Sequence, residues 1–92
     1  MHDWTLTLIT VDWISGSGYL RIRGNGRERE IGFQRIQRLV VPREFPWGRS
    51  LSINAVDGPI ELQGKLQLKV EMQSGDVIEI IADGFNVPST DA

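Results

Sequence analysis

Apolar and polar residues alternate along most of this chain, with the period of two that is typical of β-strands. Between Ile60 and Gln73 the apolar residues fall on even positions and the polar residues on odd positions. Successive side chains of a strand point to opposite faces, so this stretch predicts one long strand with one buried and one solvated face. Gly64 interrupts the apolar set, which we interpret as a bulge or bend.

The same alternation predicts further strands on either side of this stretch. After the turn residues 74–76, Ile78, Ile80 and Ala82 share one face, which predicts the second arm of a hairpin. Near the N-terminus the apolar residues switch from even to odd positions between Leu8 and Ile9. That switch predicts either a bulge within the first strand, residues 4–14, or a strand that serves two sheets. Residues 19–23 and 27–33 predict another hairpin, joined by a turn over residues 24–26.

Residues 33–41 fit two structures. Phe33, Ile36 and Val40 recur at helical spacing, which permits at most one short helical turn near residues 33–40. The β-branched residues and the short span favour a bulged strand that continues the preceding hairpin. Pro42 ends the segment in either case.

These elements together predict an all-β fold. Six to seven strands, with turns every eight to twelve residues, are typical of a small antiparallel sandwich or barrel. We expect a single β domain over residues 1–87 and a flexible C-terminal tail over residues 88–92. Four aromatic residues fit the alternation and are predicted to lie in the core: Trp4, Trp13, Phe33 and Phe85.

The composition excludes most catalytic chemistry. The 92 residues include no cysteine and one histidine, His2, so a disulfide framework, a thiolate metal site and a histidine-based triad are excluded. We therefore expect no catalytic residues, no metal and no cofactor. The chain lacks an apolar run long enough to span a membrane and lacks a signal-peptide pattern, so a cytoplasmic location is expected.

Charge is distributed unevenly along the sequence. Residues 20–50 contain eight arginines and three glutamates, whereas residues 51–92 contain two lysines and seven acidic residues. Arginine pairs with carboxylates through two parallel hydrogen bonds and is enriched at interface hot spots, so the basic stretch is a candidate interface. The alternative is that acidic strands lie beside basic strands and that cross-strand ion pairs neutralise the arginines.

Phe45-Pro46-Trp47-Gly48 is the most unusual local sequence. Proline between two aromatic residues and before glycine predicts a stiff turn, in which a cis Phe45–Pro46 bond is one possibility. Of the aromatic residues, Trp47 is the one that we most expect to be exposed. The predicted partner-binding residues lie around this turn: Arg35, Arg38, Arg43, Trp47 and Arg49.

The sequence thus favours a small non-catalytic domain that binds another protein, with an acidic partner surface, as an inhibitor, an immunity-type protein or an assembly partner. A homodimer formed through a strand edge belongs to the same class. A barrel that binds single-stranded nucleic acid is the alternative. The net charge of −2 makes this alternative less favoured, because nucleic-acid binding depends on positive charge. An enzyme would need two acidic side chains about 5–10 Å apart in one pocket. Asp57, Asp76 and Asp83 each lie beside a glycine, where turn geometry alone favours aspartate.

Overall fold

Six strands build the protein, and they follow the alternating stretches of the sequence. The computed structural model describes residues 1–89. Its strands are β1 (Thr5–Asp12), β2 (Ser17–Gly24), β3 (Arg27–Val40), β4 (Ile53–Leu62), β5 (Lys65–Met72) and β6 (Val77–Asn86). They form one antiparallel sheet in the order β1-β2-β3-β6-β5-β4. Residues 1–89 contain no helix, which confirms the predicted all-β class.

The two outer strands of this sheet meet at one end. The Asp3 amide donates to the Ile53 carbonyl (2.9 Å), and the Ile53 amide donates to the Trp4 carbonyl (2.7 Å). The Leu6 amide donates to the Leu51 carbonyl at 2.8 Å. The sheet therefore curls on itself and encloses one apolar core.

The core consists of buried side chains from β2 to β6 and from Trp4, just before β1, and partly buried residues of β1 pack against it. Leu20 and Ile22 of β2 face inward as predicted, and so do Ile78, Ile80 and Ala82 of β6. The remaining buried apolar residues are Trp4, Ile31, Phe33, Ile53, Leu68, Val70 and Met72. The Cα radius of gyration, 12.6 Å, is close to the roughly 12 Å expected for a compact chain of this length.

Residues 33–40 are strand, not helix. β3 runs over 14 residues, with the predicted bulge visible as a register shift between Ile36 and Arg38. Its first half pairs with β2, up to Phe33 opposite Gly18, and its second half pairs with β6, up to Val40 opposite Glu79. One long strand thus connects the two halves of the sheet, and β-branched residues at its end fit that role.

The predicted bulge in the first strand is present, close to its predicted position. The register between β1 and β2 shifts between Leu6 and Leu8. Leu6 pairs with Ile22, and Ile9 pairs with Leu20, so residues of both parities reach the core. The extra residue explains why the apolar positions change from even to odd.

The single long strand predicted from Ile60 to Gln73 is wrong. Gln63 and Gly64 both have positive φ (53° and 80°) and form a two-residue turn between β4 and β5. Leu62 and Lys65 lie directly opposite each other across this turn, and opposed residues share a face of the sheet. Ile60 lies opposite Gln67 and Leu62 opposite Lys65, so both lie on the face of the polar odd positions of β5 and are exposed.

Two further predictions concern a proline bond and the C-terminal residues. The cis proline bond of the described residues is Gly58–Pro59 and not Phe45–Pro46. β6 ends at Asn86, and residues 90–92 of the predicted tail 88–92 lie outside the described residues. No helix in residues 1–89 is long and apolar enough to cross a membrane.

Candidate functional site

The 41–52 loop joins β3 to β4 and carries three of the five predicted site residues: Arg43, Trp47 and Arg49. Asp76, in the turn between β5 and β6, holds its backbone. The Asp76 carboxylate accepts hydrogen bonds from the Glu44 amide (3.0 Å) and the Phe45 amide (3.3 Å). The Trp47 amide donates to the Ser74 carbonyl at 3.2 Å. The loop is thus fastened to the sheet by residues about 30 positions away in the chain.

Asp76 is almost fully buried, which turn geometry alone does not require. The Ser74 hydroxyl donates to Asp76 Oδ2 (2.7 Å), and Ser50 Oγ lies 3.0 Å from Ser74 Oγ. Burial acts to raise the pKa of Asp76, but the hydrogen bonds from Ser74, from the Glu44 amide, from Ser50 and from the Phe45 amide outweigh it and lower the pKa below its ordinary value. The carboxylate is therefore ionised at neutral pH and serves as an acceptor for the loop.

Trp47 is exposed, as predicted, and its ring lies against Gly75. The side chain is 80% accessible to solvent. A Cβ atom on Gly75 would come within 2.0 Å of Trp47 Cζ3, and Gly75 has a positive φ of 96°. Glycine at this position therefore permits both the turn and the close approach of the indole. The result is an aromatic side chain that is exposed but has a fixed backbone and one supported face.

The two arginines of the loop have no ion pair within residues 1–89. The Arg43 guanidinium lies 5.1 Å from the centre of the Phe45 ring, which orients it without neutralising its charge. Arg49 is exposed immediately before the buried Ser50. The loop therefore presents two arginines with open hydrogen-bonding capacity beside one tryptophan.

Arg35 and Arg38 are in a different environment, on the second half of β3. Arg35 Nε lies 3.1 Å from a carboxylate oxygen of Asp83, and Arg38 Nε lies 2.8 Å from Glu79. Both acidic residues belong to β6, the neighbouring strand. The cross-strand pairing that was the alternative to an interface therefore applies to these two arginines.

Other arginines of the basic stretch are paired in the same way. Arg21 lies 3.2 Å from Glu30, and Arg23 lies 3.3 Å from Glu28, across β2 and β3. The hydrogen bond to Glu30 is the main reason that the pKa of Arg21 rises above its ordinary value. Within residues 1–89, four of the eight arginines are thus paired with acidic residues of a neighbouring strand.

Asp83 is the centre of a small charge cluster on the same surface. Lys65 Nζ lies 2.7 Å from Asp83 Oδ1, and Gln37 donates to the same oxygen at 3.1 Å. The hydrogen bond from Lys65 is the largest cause of the lowered pKa of Asp83, and Gln37 and Arg35 contribute. Arg35 thus shares its carboxylate partner with a lysine.

The five predicted residues therefore form two groups. Arg43, Trp47 and Arg49 lie together on the anchored loop. Arg35 and Arg38 lie in the ion-paired part of β3, and a backbone hydrogen bond from Ile36 to the Gly16 carbonyl (2.9 Å) places that part of β3 beside the β1–β2 turn. Of the two groups, the one on the loop has arginines without ion pairs within residues 1–89.

Sequence analysis missed a second exposed tryptophan. Trp13, which was predicted to be core, is 87% exposed, and its neighbour Ile14 is 99% exposed. β1 ends at Asp12, whose side chain accepts hydrogen bonds from the amides of Ile14 (3.0 Å) and Ser15 (3.4 Å). This Asx turn begins one residue before Trp13 and carries it off the sheet, and Asp12 is the signal that could have revealed it.

Comparison with known proteins identifies no relative of this chain. No protein-family model, no curated protein and no solved structure matches it. The function of this chain is therefore inferred from the geometry of the site alone.

Proposed function

We propose that this protein is a non-catalytic binding domain that recognises another protein through the 41–52 loop. The observation that carries the proposal is that Trp47 is exposed while its backbone is fixed. The Trp47 amide donates to the Ser74 carbonyl, and the Asp76 carboxylate accepts hydrogen bonds from the amides of Glu44 and Phe45. An exposed tryptophan on a fixed loop loses little conformational entropy when a partner covers it. Tryptophan and arginine are also the residue types most enriched at binding hot spots.

The partner surface that fits this loop is acidic. Arg43 and Arg49 have no carboxylate partner within residues 1–89, so each can form a bidentate pair with a partner carboxylate. We expect Arg35 and Arg38 to contribute less, because an incoming carboxylate must compete with Asp83 and Glu79. The roles of inhibitor, immunity-type protein or assembly partner, and a cytoplasmic location, remain predictions within this proposal.

A quantitative pull-down with variants tests the proposal. The full chain is immobilised, and proteins captured from the native host are measured by mass spectrometry beside two double variants. Trp47→Ala with Arg49→Ala changes the loop. Ile60→Ala with Arg27→Ala removes, elsewhere on the surface, an exposed apolar residue and an arginine that has no ion pair within residues 1–89.

The proposal expects a protein that the wild type and the second double variant capture equally and the first loses. Equal capture by all three chains contradicts it. Unfolding of the loop variant would also contradict it, because Trp47 would then be a structural residue, and circular dichroism of each chain decides this.

These observations make single-stranded nucleic acid a less favoured ligand than a protein. It needs a positive field along the surface, and Arg21, Arg23, Arg35 and Arg38 are paired with acidic residues. A fluorescence titration with a labelled oligonucleotide at low salt, repeated at increasing salt, distinguishes this function from protein binding.

A homodimer through a strand edge stays a prediction, and β4 is one of the two outer strands. Its edge is poorly suited to pairing, because Pro59 has no amide to donate and Asp57 and Glu61 add charge. Light scattering at high protein concentration measures the oligomeric state directly.

A further inference from the structure

The outer edge of β1 is open beyond Leu6. Hydrogen bonds join Leu6 and the residues before it to residues 51–53, and after Leu6 the strand pairs with β2 alone. Among residues 1–89, no backbone hydrogen bond joins residues 7–11 to any strand on their other side. Outward-facing amides and carbonyls of this edge are therefore available to an additional strand.

Apart from the register shift between Leu6 and Leu8, this edge lacks the features that usually protect a strand from pairing. Residues 7–11, Thr-Leu-Ile-Thr-Val, contain no charge, no proline and no glycine. The free edge of β4 contrasts with it, since β4 carries Asp57, Pro59 and Glu61. Native proteins blunt exposed edges with such residues, so the open edge of β1 is the one suited to receive a strand.

An apolar groove lies beside the open edge. Its volume is about 370 Å³, and it separates Leu6, Leu8 and Ile9 from Val41 and Pro42, with the buried Ile78 in its lining. That volume lies at the lower end of the roughly 300–1,000 Å³ range of ligand sites. The groove contains no carboxylate, and Arg43 is the one charged residue that lines it.

We propose that an extended segment of the partner protein adds to the open edge of β1, places an apolar side chain in this groove and pairs a carboxylate with Arg43. The free backbone groups select an extended chain, the groove selects an apolar side chain, and Arg43 selects an acidic residue near it. The proposal rests on the proposed function and specifies the partner, because Arg43 belongs to both surfaces.

A second copy of this chain fits the groove less well than an acidic segment of another protein. Residues 7–11 of a second copy contain no acidic side chain to meet Arg43. The nearest acid on that strand is Asp12, whose carboxylate already accepts hydrogen bonds from the Ile14 and Ser15 amides. Charge complementarity therefore favours a different protein as the occupant.

Peptide selection against the full chain tests the proposal. A phage library of random 12-residue peptides is panned on the immobilised protein at low salt, and enriched sequences are synthesised with a fluorescent label. The proposal expects peptides with alternating apolar residues and at least one acidic residue. Amide hydrogen exchange is expected to slow at residues 7–11 when such a peptide binds.

Matched variants show where the selected peptide binds. Val41→Glu places a carboxylate in the groove, and Leu62→Glu places one on β4, at a residue of the same 44% exposure. Val41→Glu and Arg43→Gln are each expected to weaken peptide binding at least about tenfold, whereas Leu62→Glu leaves it unchanged. Absence of such peptides, or equal binding to all of these chains, overturns the proposal.

The loop variant separates this proposal from the proposed function. Trp47→Ala with Arg49→Ala leaves the groove intact, so the selected peptide is expected to bind it as it binds the wild type. If that variant loses the native partner while Val41→Glu keeps it, the loop function holds and the groove proposal fails. If Val41→Glu loses the partner and the loop variant keeps it, the groove proposal holds and the loop function fails. Self-association through β1, detected by light scattering and lost in Val41→Glu, would overturn the choice of occupant.

Discussion

Two pairs of arginines from the same basic stretch have opposite environments. Arg35 and Arg38 lie on β3, where the neighbouring strand β6 supplies Asp83 and Glu79 within 3.1 Å and 2.8 Å. Arg43 and Arg49 lie on the 41–52 loop and have no ion pair within residues 1–89. The neighbouring strand therefore neutralises Arg35 and Arg38, whereas Arg43 and Arg49 stay available on the loop. A cluster of charged residues in the sequence therefore indicates a binding surface only when the neighbouring strands do not supply opposite charges.

The largest expected effect comes from releasing the loop. Asp76→Ala removes the acceptor of the Glu44 and Phe45 amides and empties a buried polar site, so we expect a clear loss of stability and faster proteolytic cleavage within residues 41–52. Thermal unfolding and limited proteolysis measure the two effects. Asp57→Ala, at an exposed aspartate of β4, is the control and is expected to change neither. A loop as protected in Asp76→Ala as in the wild type would show that other contacts hold it.

Acid is the next way to separate the loop from the sheet. The pKa of Asp76 is lowered in the folded protein, so the unfolded state takes up a proton first as the pH falls. Its stabilising contribution is present above the ordinary aspartate pKa of about 4 and is lost as the pH falls through the lower folded value. Asp76→Asn is expected to reduce this acid dependence in denaturant unfolding between pH 6 and pH 2.

Asp83, whose pKa is also lowered, gives the same sign and keeps part of the slope in that variant. An unchanged acid dependence in Asp76→Asn would mean that the carboxylate contributes nothing as an ion.

The third prediction concerns binding. Trp47→Ala with Arg49→Ala is expected to weaken partner binding about tenfold or more, because hot-spot truncations typically cost roughly 2 kcal/mol. Both side chains are exposed, so stability is expected to change by no more than about 0.5 kcal/mol per substitution. Calorimetric titration with the captured partner measures the affinity. Arg35→Ala with Arg38→Ala is the comparison, and an equal loss there would contradict the distinction between the two pairs of arginines.

The smallest expected effect is the energy of a sheet ion pair. A double-mutant cycle on Arg38→Ala and Glu79→Ala is expected to give a coupling of about 0.2–1 kcal/mol that decreases with added salt, since the pair is near the surface. Urea unfolding of the four chains provides the values. A coupling well above this range would mean that the pair organises β3 against β6 and does more than balance charge.

Much of the fold follows from local pattern. The alternation correctly places Leu20 and Ile22, and Ile78, Ile80 and Ala82, in the core, and the change of parity near Leu8 correctly predicts the bulge. Each of these depends on the geometry of one strand, which a short stretch of sequence contains. Within the candidate site, the exposure of Trp47 follows equally from its proline and glycine neighbours.

The errors have non-local causes. Trp13 fits the alternation but lies beyond the last residue that β2 pairs with, so its side chain is in solvent. Ile60 and Leu62 fit the alternation of β5 but belong to β4. The two-residue turn between β4 and β5 places Leu62 opposite Lys65, so near this turn the even positions of β4 share a face with the odd positions of β5.

The formation of strands, the inward face of most strands and the exposure of Trp47 on a stiff turn all follow from local patterns of residues. Three other features depend on the assembled sheet: Asp76 holds that turn, β6 neutralises Arg35 and Arg38, and one edge of β1 stays open beside Arg43. Side-chain alternation is a property of one strand, whereas burial of a carboxylate, pairing of charges and exposure of an edge depend on which strands become neighbours.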